Sequence, residues 1–153
     1  MGNLIIRRYY LASCNGQRET PHSVAEDLFI TEIHYHPLDQ TEDELSDAPD
    51  LNDGDFEFLE LLNVSSKQLI LDAVAFTTGV EFVFPIDSRM QPGGRIVLCR
   101  NLETFPLRYS ESPFGEYGGV LINSGEALVL VDAEGNVLLD LSYGDSYVGG
   151  WGD

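Results

Sequence analysis

The feature that most constrains the fold is a succession of short β-forming runs, separated at roughly ten-residue intervals by proline and glycine turns. The runs span residues 28–36, 56–64, 69–78, 81–84, 95–99, 127–132 and 137–143. No window longer than a turn or two combines helical periodicity with caps, and strands do not alternate with helices as in a parallel α/β sheet. The pattern predicts an all-β domain of the sandwich or barrel type.

Two of these runs carry specific information about packing. Arg95–Cys99 follows the turn Gln91-Pro-Gly-Gly and is apolar on both faces, which predicts an interior strand between packed sheets. Val137–Tyr143 alternates apolar and polar residues after the loop Ala133–Asn136, as the second strand of a half-buried hairpin does.

Length and charge limit the domain count and the partners. A chain of 153 residues fits one domain with its own core. It has 26 acidic residues against 8 Lys and Arg, a net charge of −18. Such a surface repels phosphate backbones and anionic lipids, so nucleic acid is an unlikely partner, and no apolar run is long enough to span a membrane.

The ends of the chain differ in composition from its middle. We predict a flexible leader or linker at residues 1–27, a folded domain at 28–145 and a flexible tail at 146–153. Leu11–Cys14 is a weak match to a bacterial lipobox without the apolar segment that precedes one. Cys14 and Cys99 are too few for a disulfide framework, and separate free thiols are favoured over a bridge.

The run Phe56–Val64 contains two acids that could be read as a catalytic pair. Glu57 and Glu60 are three residues apart and therefore point to opposite faces of a strand, so they cannot converge on one substrate atom. We interpret both as solvent-facing acids on a half-buried core strand.

An acidic loop precedes this run and is the first candidate for a metal site. It extends from Asp39 to Asp55 without a basic residue, and Asp50, Asn52, Asp53 and Asp55 offer the oxygen ligands that Ca²⁺ takes. The EF-hand register fails, because aligning Gly54 with the loop glycine puts Pro49 at the first ligand. A solvated acidic loop is favoured, and calcium binding stays open as a hypothesis.

Other catalytic or metal-binding patterns are weaker. His34 and His36 share a strand face with Asp39 nearby, which could hold Zn²⁺, although chance spacing is the favoured interpretation. The sequence contains no nucleophile elbow and no glycine-rich loop that leads into a helix.

An ordered set of motifs resembles the lamin-tail domain as it occurs in bacterial proteins. The matching segments are Ile30–Pro37, Glu57–Asn63, Phe84-Pro85, the Gln91–Leu98 turn and strand, Leu121–Leu130, and Asp132 to Tyr143 with Gly135 between. One departure is Ala73-Val74, where the family usually has Gly-Trp; another is His36, where Asn is common.

The resemblance implies an all-β, immunoglobulin-like β-sandwich of two mainly antiparallel sheets, and no catalytic motif. Bacterial members typically occur in exported or surface proteins beside other domains. We therefore expect a non-catalytic binding or tethering module with a protein or cell-surface partner, located outside the cell and belonging to a larger protein. The loops 38–55 and 101–119 are the expected contact regions, because function concentrates on loops held by a rigid scaffold. The alternatives are a calcium-binding accessory domain of a hydrolase and a purely structural domain.

Overall fold

The computed structural model describes residues 2–4 and 24–144, which form a mainly β structure with short helices. The helices are α1 Val24–Asp27, α2 Glu42–Asp47 and α3 Phe105–Arg108, with a 3-10 helix at Asp53–Phe56. The strands are β1 Gly2–Leu4, β2 Leu28–His36, β3 Phe58–Asn63, β4 Leu69–Ile70, β5 Ala75–Thr78, β6 Val80–Val83, β7 Arg89–Met90, β8 Arg95–Cys99, β9 Gly115–Glu116, β10 Gly118–Gly119, β11 Glu126–Val131 and β12 Val137–Tyr143.

These strands form two five-stranded sheets and one small two-stranded sheet. The first sheet has the order β1-β2-β3-β8-β9 and the second has the order β10-β6-β5-β11-β12, while β4 pairs with β7. Among the described strands every pairing is antiparallel except that of β8 with β9. Buried side chains from both large sheets belong to one hydrophobic cluster, so the sheets pack face to face. The predicted sandwich of two mainly antiparallel sheets is confirmed.

The strand β3 lies at the centre of the first sheet. Leu59 and Leu61 point into the core and are fully enclosed, while Phe58 and Glu60 lie on the other face. The strand begins at Phe58 because Phe56 still belongs to the 3-10 helix. The neighbouring strand β8 is buried on both faces from Ile96 to Cys99, which confirms its predicted interior position.

A β-bulge in β2 decides which of its side chains face the core. The register between β2 and β3 shifts between Ile30 and Glu32. A bulge adds one residue to one strand, so Ile30 and Ile33 both reach the core although they are three positions apart, which in a regular strand would put them on opposite faces. Thr31 and Glu32 are consequently both left outside the core cluster.

The two long segments predicted as loops contain regular structure and contact each other. In residues 38–55, Thr41 forms a capping box with Glu44 at the start of α2. Residues 101–119 contain α3, β9 and β10. The Thr104 hydroxyl donates a hydrogen bond to the Asp55 carbonyl oxygen at 3.2 Å, which joins the two segments. The expectation of an acidic segment in full contact with solvent is wrong for Glu44, whose side chain is buried against Arg108.

Candidate functional site

A pocket of about 310 Å³ opens on the outer face of the first sheet, the face that points away from the second sheet. We call it the outer-face pocket. Its lining residues are Glu32, Phe58, Glu60, Val97, Phe105, Arg108, Tyr109, Ser110 and Glu111. The pocket is therefore built from three neighbouring strands and from the α3 segment that crosses above them.

Strand register places the floor of the pocket in two cross-strand rows. Glu32, Glu60 and Val97 are directly opposite one another on β2, β3 and β8. The next row contains Phe58, which lines the pocket, between His34 and Cys99, which lie beside it on β2 and β8. Side chains directly opposite on neighbouring strands have Cβ atoms about 5 Å apart, so each row is a continuous strip of contacts.

Aromatic rings connect the floor to the α3 segment. The ring centroid of Phe58 lies 5.8 Å from that of Phe105 and 5.3 Å from that of Tyr109, both in edge-to-face geometry. Phe105 is buried, and together with Val97 and Cys99 it forms a hydrophobic cluster separate from the main core. This small second core holds α3 on the sheet.

Arg108 lines the pocket but is committed to the segment 38–55. Its guanidinium donates to both carboxylate oxygens of Glu44 at 2.8 Å and to the carbonyl oxygens of Leu38 and Asp39 at 2.8 and 3.2 Å. It also lies over the Phe56 ring, 3.6 Å from the centroid. The charge of Arg108 is therefore neutralised inside the fold.

The charges of two pocket carboxylates, those of Glu60 and Glu32, are compensated to different extents. Glu60 accepts a hydrogen bond from the Thr31 hydroxyl at 2.5 Å and pairs with Arg95. Glu32 forms no hydrogen bond or ion pair with the residues that the structure describes, although Glu60 is directly opposite it. Burial, followed by the charges of Glu60 and Glu111, raises the pKa of Glu32, against a smaller opposing effect of Arg95.

The structure places Glu57 in the core, which corrects the prediction that it faces solvent. Glu57 has the same strand parity as Leu59, so it points into the sandwich and is only 4% exposed. Its Oε2 accepts hydrogen bonds from the Leu121 amide at 2.9 Å and the Tyr117 hydroxyl at 3.3 Å, with Arg100 at 3.7 Å. Burial raises the pKa of Glu57 in spite of these donors. The predicted separation of Glu57 and Glu60 onto opposite faces is confirmed, and neither forms a catalytic pair with the other.

The residues predicted to hold calcium lie at the start of the 3-10 helix. The backbone and side-chain nitrogens of Asn52 both donate to Asp55 Oδ2, at 2.9 and 2.7 Å, while Asp50 is exposed. Asp53 follows Asn52 as the first residue of the helix. Within residues 2–4 and 24–144, no three His, Cys, Asp or Glu side chains are grouped so that they could hold a metal ion. Calcium binding by this segment stays a prediction.

The histidines of β2 have unlike surroundings. His34 is buried and stacks on Phe58 with ring centroids 4.8 Å apart, whereas His36 is exposed. Burial, followed by Arg108, lowers the pKa of His34 to about 4. The structure does not group His34, His36 and Asp39, or any other three His, Cys, Asp or Glu side chains of the described ranges, so that they could hold a metal ion.

Cys99 is a buried free thiol, as predicted, and burial raises its pKa to about 11. Cys14 and the lipobox-like segment Leu11–Cys14 lie outside the described residues. No helix in the described ranges has the length and apolar character needed to cross a membrane.

Sequence reasoning missed the outer-face pocket, although two local signals for the elements around it were present. Thr41-x-x-Glu44 is a capping-box pattern for α2, and Pro106 lies in the first turn of α3, where proline is favoured. Both helices are too short to show periodicity, and no local signal shows that α3 packs on β3 and β8.

A second depression, of about 350 Å³, lies at the base of the β11–β12 hairpin and is lined by residues 124–127 and 142–144. It is more open to solvent than the outer-face pocket, and its lining ends at Gly144, the last described residue. The outer-face pocket is therefore the better-defined candidate site.

Comparison with known families identifies the fold. The family described as Lamin Tail Domain matches residues 21–145, which include every described strand except β1 and all residues of the outer-face pocket. No curated protein gives a significant match. Lamin tail domains are immunoglobulin-like β-sandwiches, in agreement with the two packed sheets. The chain belongs to the lamin tail domain family.

Proposed function

We propose that this domain is a non-catalytic binding or tethering module of an exported or cell-surface bacterial protein, and that its outer face contacts a protein partner. The observation that carries the proposal is the arrangement of the two long segments. Residues 38–55 and 101–111 fold against each other over the first sheet and leave the outer-face pocket open between α3 and the strands.

A rigid support makes this face suitable for recognition. The ion pair of Arg108 with Glu44 joins the two segments, and the cluster around Phe105 fixes α3 to β8. Loops held in this way present side chains in a defined geometry at a small entropic cost of binding. Their exposed apolar residues, Leu38, Leu102 and Leu107, are side chains that a protein partner would cover.

The proposed partner class follows from charge. A net charge of −18 opposes phosphate backbones and anionic lipid surfaces, whereas a protein partner can supply complementary basic groups. The extracellular location rests on the resemblance to bacterial lamin-tail proteins.

Site-specific photo-crosslinking of the full chain tests the binding surface. A benzophenone amino acid is placed at Ser110 or Asp50, which are exposed on the two long segments, or at Glu134 in the exposed β11–β12 loop as the matched control. The probes are incubated with envelope and secreted proteins of the source bacterium. We expect a product from Ser110 or Asp50 that excess unmodified chain suppresses and that the purified, identified protein reproduces.

Glu134 should give no such product. Equal crosslinking from Glu134, or no product that unmodified chain suppresses at Ser110 and Asp50, would overturn the proposed binding surface.

Location requires its own experiment. An epitope tag in the Ala133–Asn136 loop allows the protein to be followed in the source bacterium by fractionation and by protease treatment of intact cells. We expect the tag to be found outside the cytoplasm. Recovery of the tag from the cytoplasm alone would refute this part of the proposal.

A further inference from the structure

We propose that the outer-face pocket binds a lysine or arginine side chain of the protein partner, so that this surface recognises a basic segment. This inference rests on the proposed function and specifies the chemistry of its partner.

The size of the pocket fits one side chain. Its volume of about 310 Å³ is at the lower end of the range of roughly 300–1,000 Å³ for ligand sites. It opens on a sheet face with α3 on one side, so a chain lying across the opening can insert a single residue. The pocket is therefore suited to a side chain that anchors a larger contact.

The walls suit the apolar and the charged parts of a basic side chain at once. Phe58, Phe105 and Tyr109 provide aromatic rings, and Val97 adds an aliphatic surface on the floor. Lysine and arginine bury a methylene stem along such surface while the charged end stays polar. A cation within about 6 Å of a ring centroid is also attracted by the ring.

The charges around the pocket favour a cation over an anion. Three carboxylates line it, those of Glu32, Glu60 and Glu111, against the single cation Arg108. Arg108 is held by Glu44, and Arg95 pairs with Glu60. Glu32 is left without a hydrogen-bonded or ion-paired partner in the described part of the chain, directly opposite the like charge of Glu60. A basic side chain would give Glu32 a counter-ion, whereas an acidic one would meet three like charges.

Peptide titration of the isotope-labelled full chain tests the inference. The probes are capped pentapeptides that differ only in a central Arg, Lys, Gln or Glu between glycines, and binding is followed by amide chemical shifts. We expect saturable shifts at Glu32, Phe58, Glu60, Val97 and residues 108–111 with the Arg or the Lys peptide, and none with Gln or Glu. Equal shifts with the Gln peptide, or shifts centred away from these residues, would overturn the inference.

Two double variants with the same change in net charge separate a specific pocket from general attraction. Glu32→Gln with Glu111→Gln removes two pocket carboxylates, and Glu81→Gln with Glu134→Gln removes two exposed carboxylates that do not line it. We expect the pocket double variant to raise the dissociation constant of the basic peptide by about fivefold or more. The control double variant should raise it by less than about twofold.

Equal weakening by both pairs would mean that the peptide senses only the net charge, and would contradict the inference. Removing Glu32 relieves a like-charge pair, so the pocket variant should fold, and its melting temperature verifies this.

The two experiments fail independently. Suppressible crosslinks from Ser110 or Asp50 without binding of basic peptides would leave the proposed function in place and remove this inference. If neither suppressible crosslinks nor binding of basic peptides is observed, the proposed function and this inference are both refuted.

Discussion

Among the described residues, Ala73 has a backbone conformation that its side chain clearly disfavours. Its φ is 58°, in the left-handed region, and the lamin-tail pattern has glycine at this position. The turn is held from both sides, because the Ala73 amide donates to the Phe84 carbonyl at 3.2 Å and the Phe84 amide donates to the Val74 carbonyl at 2.8 Å. The surrounding pairing therefore imposes a conformation that alanine by itself disfavours.

We expect Ala73→Gly to stabilise the domain by about 1 kcal/mol, since relief of left-handed strain exceeds the entropic cost of glycine in the unfolded chain. Urea denaturation measures the change. The matched control is Asp87→Gly, where φ is 68° but aspartate tolerates the region better and pairs with Arg89, so the gain should be smaller or absent. Destabilisation by Ala73→Gly would show that the turn holds no such strain.

Among the elements, α2 is joined to α3 by the ion pair of Glu44 with Arg108. The Glu44 carboxylate accepts both hydrogen bonds from Arg108, and this contact lowers the pKa of Glu44 to about 2, with the Thr41 amide contributing further. A carboxyl whose pKa falls on folding adds stability above its unfolded pKa and loses it as pH falls toward the folded value.

Glu44→Gln should therefore reduce the free energy of unfolding by about 2 kcal/mol at neutral pH. The difference from the wild type should shrink as pH falls below 4.5 and should be lost as pH falls through about 2. Urea denaturation across this pH range measures the effect, with Asp43→Asn as a control that removes an exposed charge from the same helix. A difference that does not change with pH would contradict the role of the ion pair.

In the strand β2, the bulge lets Ile30 and Ile33 reach the same core although they are three positions apart. Deletion of the extra residue Thr31 should leave a regular strand in which these two side chains are two positions apart and still share the core face, so the variant should unfold cooperatively. Thr31→Ala keeps the bulge, loses the hydrogen bond to Glu60, and should cost about 1 kcal/mol. Thermal melts followed by circular dichroism measure both variants, and a deletion variant that no longer unfolds cooperatively would contradict the assignment of Thr31 as the extra residue.

For the whole molecule, the dominant electrostatic quantity is the net charge of −18. Repulsion among like charges opposes the compact state, and salt screens it over a Debye length of about 8 Å at physiological ionic strength. We expect the melting temperature to rise as sodium chloride is added from low ionic strength. The rise should be smaller for the double variant Glu81→Gln with Glu134→Gln, because it carries two fewer negative charges. A wild-type melting temperature that does not change with salt would contradict this account.

The amino-acid sequence by itself determined the strands and the sandwich. Strand formation depends on local properties, namely β-forming residues, period-2 alternation and turns such as Gln91-Pro-Gly-Gly, so β2, β8 and the β11–β12 hairpin could be predicted nearly to the residue. The same alternation correctly separated Glu57 from Glu60. It could not tell which face was buried, because that depends on the sheet packed opposite.

Only the tertiary structure decided the candidate site. Arg108 and Glu44 are 64 residues apart, and the pocket joins β2, β3 and β8 to a helix of four residues. Such contacts arise from packing between distant segments, which no local pattern encodes. The acidic segment illustrates the difference: its composition was evident in the sequence, but the burial of Glu44 against Arg108 required the whole sandwich to be in place.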